Sequence, residues 1–326
     1  MKGVMEFARR HRWIWAALGV AILWVALSLG TERFSLASIS GVARSASFLA
    51  IVALGQMFVV ATGRGNIDLS VAGVVTLSAF VTVTLADGSN AMLPVALGVT
   101  LAMGAVVGLV NAFLVVRLGI AAMIATLAMG YVLATATLMV NRQVRGFETA
   151  PALEWVASGR IGDVPVIALV AIGATALAAF VVGRTAFGQT LSATGQNLRA
   201  AELAGVRTGR TITAAFVTSA VSASLAGALL SANVGGAFLD MGTPYLLQSV
   251  GAVVLGGSLI FGGFSTALGT LLGALLLVLI VTTMQIWGLP TGAQDVVQGV
   301  VIIAVLALAG GRALRRRKAP ARAKTA

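Results

Sequence analysis

The chain contains no cysteine and only one histidine, His11. Without thiols there is no disulfide framework, thiol nucleophile or Cys-ligated metal, and a lone histidine cannot build a His-based metal site or catalytic triad. Lysine is missing from the whole stretch between Lys2 and Lys318. A GxxxxGK[ST] phosphate loop is therefore excluded there, so any ATP that drives this protein is hydrolysed by another polypeptide. Charge is scarce too: 10% of the 326 residues are Asp, Glu, Lys or Arg, while 59% are hydrophobic. A soluble domain carries about 25% charged residues, so this chain lacks the polar surface to be one. No paired carboxylates or metal-ligand set falls in the apolar runs. The expectation is a non-enzymatic chain with no catalytic residue, metal or cofactor of its own.

What the chain does have is repeated apolar runs of about 17–24 residues, which match the hydrocarbon thickness of a bilayer at helical rise. They predict an all-α polytopic membrane protein with about ten spans, at residues 13–29, 43–62, 71–85, 92–116, 120–140, 166–182, 212–230, 246–261, 267–287 and 296–309. An eight-span version with a re-entrant segment keeps the same termini. The first run is long for a signal peptide and reads as a retained span. The net charge of +12 sits mostly at the ends: residues 1–12 and 311–326 hold 11 of the 22 basic residues against one acid, Glu6. Basic flanks around apolar spans indicate cytoplasmic termini and contact with anionic lipid, not nucleic-acid binding. The ten-span arrangement puts 17 basic residues inside and five outside (Arg33, Arg44, Arg142, Arg145, Arg160). Arg44 lies close enough to the outer end of its span to snorkel.

Two polar stretches interrupt the apolar pattern. Residues 188–210, GQTLSATGQNLRAAELAGVRTGR, form an Arg-bearing island between spans six and seven. Asn197 can cap a helix of about two turns that Gly205 stops. Such a helix is too short to be stable alone in water, and suits a handle for a partner. Residues 62–71, TGRGNIDLSV, place Arg64 and Asp68 between two apolar runs. Two readings of Asp68 stay open. It caps span three by accepting backbone N–H groups, or it acts directly in transport with Asn66 and Ser70 as neighbouring pathway candidates. The pairs Gly104/Gly108 and Gly269/Gly273 let helix backbones approach closely. Gln56, Asn111, Thr126, Asn233 and Gln248 lie inside spans, where they serve helix-to-helix hydrogen bonds or line a path for an uncharged polar solute.

Taken in order, GNIDLSV (residues 65–71), ATGQNLRAAELAGV (residues 193–206) and VGAVVLGGSLIFGGFSTALGTLLGALLL (residues 250–277) resemble the permease subunits of ribose, xylose and arabinose ABC importers, with branched-chain amino-acid permeases as more distant relatives. The resemblance runs over about residues 40–310. It departs where Arg64-Gly65-Asn66 precedes Ile67-Asp68, since the family often reads Gly-Gly-Ile-Asp-Leu-Ser. The resemblance implies one transmembrane permease domain over residues 1–326 and a partner protomer that forms a homo- or heterodimer. It also implies two cytoplasmic ATP-binding subunits, which use the ATP, and a periplasmic or extracellular solute-binding protein. It makes residues 184–211 the cytoplasmic loop that meets the ATPase, carried by Gly195, Asn197, Ala200, Ala201, Ala204 and Gly205. The expected activity is ATP-driven import of a monosaccharide or small polyol. The alternative is a secondary transporter driven by an ion gradient, which usually keeps intramembrane carboxylates; here only Asp68 could serve.

Overall fold

The computed structural model describes residues 13–30, 36–143 and 148–317. Residues 1–12 and 318–326, with much of the basic charge, lie outside it, as do Glu32, Arg33 and Arg145. The described chain runs through α1 (Ile14–Gly30), α2 (Leu36–Ala61), α3 (Val71–Ala86), α4 (Leu93–Val116), α5 (Ala122–Asn141) and the short α6 (Pro151–Ser158). A two-residue antiparallel pair follows, β1 (Arg160–Ile161) with β2 (Val164–Pro165). Then come α7 (Val166–Arg184), α8 (Ala186–Gln196), α9 (Leu198–Leu203), α10 (Thr208–Val234), α11 (Thr243–Leu255), α12 (Ala267–Ile286) and α13 (Thr291–Arg317). Among the described residues, six helices are long and apolar enough to cross a membrane: α2, α4, α5, α7, α10 and α12. Four shorter apolar helices accompany them: α1, α3, α11 and the first half of α13.

The helix ends follow local chemistry. Proline starts α4, α6 and α11 near their first turn, where its missing N–H costs no hydrogen bond. Asp87 and Gly88 turn left-handed after α3, and Gly235 does so after α10. Two stretches depart from the expected layout. Residues 141–165 are not one loop: they contain α6 and the β1–β2 turn, to which Arg44 is tied by a 3.2 Å bond from Nη2 to the Ser158 carbonyl at the end of α6. The run at residues 246–261 is not helical throughout, because its helix, α11, starts at Thr243 and stops at Leu255. Residues 256–261 are apolar enough to look like the end of that span, but Gly257, Gly262 and Gly263 adopt positive φ and turn the backbone back.

At the centre stands α10, which packs against α2, α3 and α4. Its buried face is built from Ala215, Ser219, Ala220, Ala223, Ser224, Gly227 and other small residues. Lipid tails are as apolar as leucine, so close backbone packing, rather than escape from water, holds membrane helices together. The glycine pairs serve this packing. A Cβ on Gly108 would come within 2.6 Å of Val217 Cα and 2.8 Å of the Phe216 carbonyl oxygen, and one on Gly104 would meet Ser224 Oγ and the Ala220 carbonyl. Gly269 and Gly273 lie in the same way against Gly256 and Ala252 where α12 crosses α11.

Gly108→Ala should therefore push α4 off α10 and cost about 1–3 kcal/mol. Gly98→Ala on the same helix, where a Cβ meets nothing within 4 Å, should be neutral or slightly stabilising. Thermal unfolding of the two variants in detergent checks the contrast.

Candidate functional site

The polar island is more ordered than its composition suggests. After α7 the chain turns sharply at Thr185, whose Oγ1 accepts the Gly188 N–H at 3.2 Å and caps α8. This eleven-residue helix was not legible in GQTLSATGQ, because its Gly, Ser and Thr residues favour caps and turns over helix interiors. Leu191 and Thr194 are buried against the bundle, and the Phe187 ring tilts against Phe58 of α2 with centroids 6.0 Å apart. Asn197 then ends α8 and starts α9, its Oδ1 accepting the Ala200 N–H at 3.1 Å. Gly205, at φ +82°, closes the helix. The structure thus has the short helix that the sequence predicts, bounded by the expected cap and stop.

The six candidate residues of the island divide by environment. Gly195 and Ala201 face inward, with Ala201 only 5% exposed. Asn197 caps, and Ala200, Ala204 and Gly205 lie at the surface. Beside them Arg199 and Glu202 form an exposed 3.7 Å ion pair, and Glu202 Oε1 also accepts from Thr208 Oγ1 at 3.1 Å. Leu203 is 78% exposed. A large apolar side chain beside a charged pair on a short capped helix is suited to a groove in a partner.

The end of α8 is joined to the bundle backbone to backbone. The end of α2, the end of α8 and the 256–266 turn meet at Gly63, Gly195, Gly262 and Gly263. A Cβ on Gly195 would overlap the Ala61 carbonyl and the Gly263 amide; one on Gly262 would overlap Gly63. Gly263 N–H donates to the Ala61 carbonyl at 3.1 Å, and Ser192 Oγ donates to the Gly263 carbonyl at 2.9 Å. Next in the chain, Gly63, Arg64 and Gly65 are all left-handed, a conformation that costs a non-glycine residue such as Arg64 free energy. These three connectors are ones that the charge pattern assigns to a single side of the membrane.

Asn66, Asp68 and Ser70 are all buried, but only Asp68 and Ser70 share a hydrogen-bond network. Asn66 Nδ2 donates to Thr62 Oγ1 at 2.9 Å. Asp68 is fully buried and accepts three hydrogen bonds: Oδ1 takes the Ser70 N–H (3.0 Å) and Oγ–H (2.6 Å), and Oδ2 takes Ser219 Oγ–H of α10 at 2.8 Å. Ser70 Oγ in turn accepts from Asn111 Nδ2 of α4 at 2.9 Å. Thr126 of α5 receives the Leu69 N–H at 2.9 Å. The carboxylate therefore fastens the start of α3 to α10 through hydroxyls and a backbone amide, with no cation among these partners. Of the other in-span polar residues, Asn233 accepts from Ser158 and Gln248 donates to Gln298. Gln56 is fully buried on α2 with neither amide atom hydrogen-bonded.

Among the described residues, cavities open into the bundle at two places of interest. One of about 340 Å³ lies between α3, α5 and the start of α11, where Thr76, Tyr131, Thr137, Asp240 and Thr243 supply polar groups. Leu69 lines it, but Asn66, Asp68 and Ser70 do not. A second, of about 300 Å³, lies between α2, α10, α11 and α12. Sequence periodicity did not reveal either one, because each gathers residues from several helices and a loop. Among the described residues no group of three or more His, Cys, Asp or Glu could hold a metal ion. Because each buried polar group left without its partner costs about 1–3 kcal/mol, and three donors lose theirs, Asp68→Ala should destabilise by at least ~3 kcal/mol. Asp68→Asn keeps the shape and most of the bonds and should lose less than half as much, as read from thermal unfolding of both variants.

Comparison with known proteins places these features in a family. Residues 38–306 match the family described as Branched-chain amino acid transport system / permease component. The Autoinducer 2 import system permease protein LsrC of Shigella flexneri is 31% identical, over 97% of this chain and 93% of its own length. The protein of that name from Escherichia coli O9:H4 is 32% identical over the same shares, and that of Salmonella typhi is 31% identical over 97% of this chain and 92% of its own length. No solved structure gives a significant match. With most of its length matched and its apolar helices packed around α10, the chain belongs to this family of transport-system permeases and is a multi-pass protein of the cell membrane.

Proposed function

We propose that the chain is the permease subunit of an ATP-binding-cassette importer that moves a monosaccharide or related small polyol into the cytoplasm. The observation that carries this reading is the placement of α9. A short capped helix presents Arg199 and Leu203 outward, while the helix before it is joined through Gly195 to the end of α2 and to the 256–266 turn. A push on such a helix reaches several spans at once. The relatives' description as import-system permeases supports the direction of transport.

In this reading residues 184–211 are the cytoplasmic coupling loop. Gly195 passes motion to the bundle, Asn197 and Gly205 fix the ends of α9, Ala201 seats it against the bundle, and Ala200 and Ala204 keep its outer face slim enough for a groove in the ATPase. Two cytoplasmic ATP-binding subunits hydrolyse the ATP, and this chain binds no cofactor. A second protomer, a copy or a paralogue, completes the membrane unit, and a periplasmic or extracellular solute-binding protein delivers the solute. The whole chain is one permease domain. Among the described residues six long and four shorter apolar helices support an arrangement of ten crossings, with the basic ends, residues 1–12 and 311–326, in the cytoplasm against anionic lipid. Asp68 and Ser70 hold the start of α3 against α4 and α10, Asn66 braces the turn after α2 through Thr62, and the three so shape the path without lining it.

Ala201 is too buried for a bulky substitution to test coupling cleanly, whereas Leu203 is exposed. Leu203→Asp should leave thermal stability nearly unchanged, as surface substitutions do within about 0.5 kcal/mol, while uptake and stimulated ATP hydrolysis both fall. The measurement is reconstitution into vesicles with the ATPase and binding protein. Uptake by the permease without ATPase subunits would overturn the reading. Uptake that an ionophore abolishes and ATP depletion leaves intact would favour the ion-gradient alternative.

A further inference from the structure

The cavity of about 300 Å³ between α2, α10, α11 and α12 has a lining unlike that of its neighbour. Its polar groups are all uncharged: Ser45 on α2, Tyr245 and Gln248 on α11, Thr282 and Gln285 on α12. Phe238, from the segment before α11, adds an aromatic ring at its edge. Among the described residues no acid or base lines it, whereas the other cavity carries Asp240. We propose that this cavity is a binding site for a neutral polyhydroxylated solute on its way through the permease; the proposal rests on the importer reading above.

The chemistry fits that class. Sugars offer hydroxyls, each a donor and an acceptor, and apolar C–H faces. Amides and hydroxyls supply both partners, and aromatic rings cover the faces. Gln248 is held in place by a 2.6 Å bond from Nε2 to Gln298 Oε1 on α13. That bond uses one amide hydrogen and leaves a side chain with a second hydrogen and a carbonyl oxygen to direct at a ligand. Gln248 is half-buried, while Ser45 and Gln285 are exposed at the rim, so the site has an anchored floor and an open mouth. The volume is at the lower end of the range for small-molecule pockets, which suits a pentose-sized ligand. The cavity disfavours an amino acid, whose ammonium and carboxylate would enter a membrane protein without opposite charges to meet them.

The absence of cysteine from the chain makes the test direct. Thr282→Cys places one thiol in this cavity, and Thr137→Cys places one in the other. Each full-length variant is purified, returned to vesicles and reacted with a small methanethiosulfonate. The probes are D-ribose, D-xylose, L-arabinose and L-leucine at millimolar concentration. At least one sugar should slow labelling of Thr282→Cys and leave Thr137→Cys unaffected, and leucine should protect neither. Adding Gln248→Leu to Thr282→Cys should raise the protecting concentration about tenfold, and Gln285→Leu at the exposed rim gives a second variant with little risk to folding. Unchanged labelling of these doubles without sugar shows that the cavity is intact. Uptake of the same four compounds by the assembled wild-type importer runs in parallel. ATP-driven sugar uptake without protection at Thr282→Cys overturns this site alone. Uptake of leucine but of none of the sugars overturns both the site and the proposed substrate class.

Discussion

Close contact between backbones is the constraint on which this structure depends. In water, burying apolar side chains would assemble such helices, but in a bilayer the lipid offers an equally apolar surroundings. What remains is fit, and fit at short range needs residues without side chains. The junction of Gly63, Gly195, Gly262 and Gly263 is the extreme case, since a single added methyl group at Gly195 would overlap two backbone groups. The same principle builds the bundle, where Gly104 and Gly108 set α4 onto α10, and Gly269 and Gly273 set α12 onto α11. Polar bonds then choose the register: Asp68 to Ser219, Ser70 to Asn111, and Arg44 to the end of α6.

This construction bears on how motion could pass through the protein. A contact made through long side chains can yield by a change of rotamer, whereas a contact between backbones moves as a unit. The α8 end, the α2 end and the 256–266 turn share such a contact. The exposed α9 follows α8 after a single residue, Asn197. In the importer reading, displacement of α9 by an ATPase is thereby carried to α2 and to the α11–α12 pair, the helices around the uncharged cavity. Asp68 lies apart from that line and secures α3 to the central α10.

Most of the long helices could be read from the sequence because an apolar run of membrane length has few other uses. The island helix α9 was also legible, since Asn197 and Gly205 are strong end signals. Other features were hidden for identifiable reasons. Residues 256–261 keep their hydropathy while the glycines in and after them break the helix, so composition alone extends α11 too far. The helix α8 carries Gly188, Thr190, Ser192 and Gly195, residues that usually weaken helices and here are used for capping and close approach. The local spacing around Asp68 suggested a cap but could not show Ser219, which lies far along the chain on α10. Neither cavity has a sequence signature, because Ser45, Tyr245 and Gln285 become neighbours only when four helices pack.

The central claim is that the glycine junction transmits force between the island and the spans. The most direct measurement is the number of solute molecules imported per ATP hydrolysed by reconstituted importers carrying Gly195→Ala. If the claim holds, the variant assembles with its partners and still hydrolyses ATP, but imports much less solute per ATP than the unmodified protein. Unchanged import per ATP in the assembled variant would contradict it.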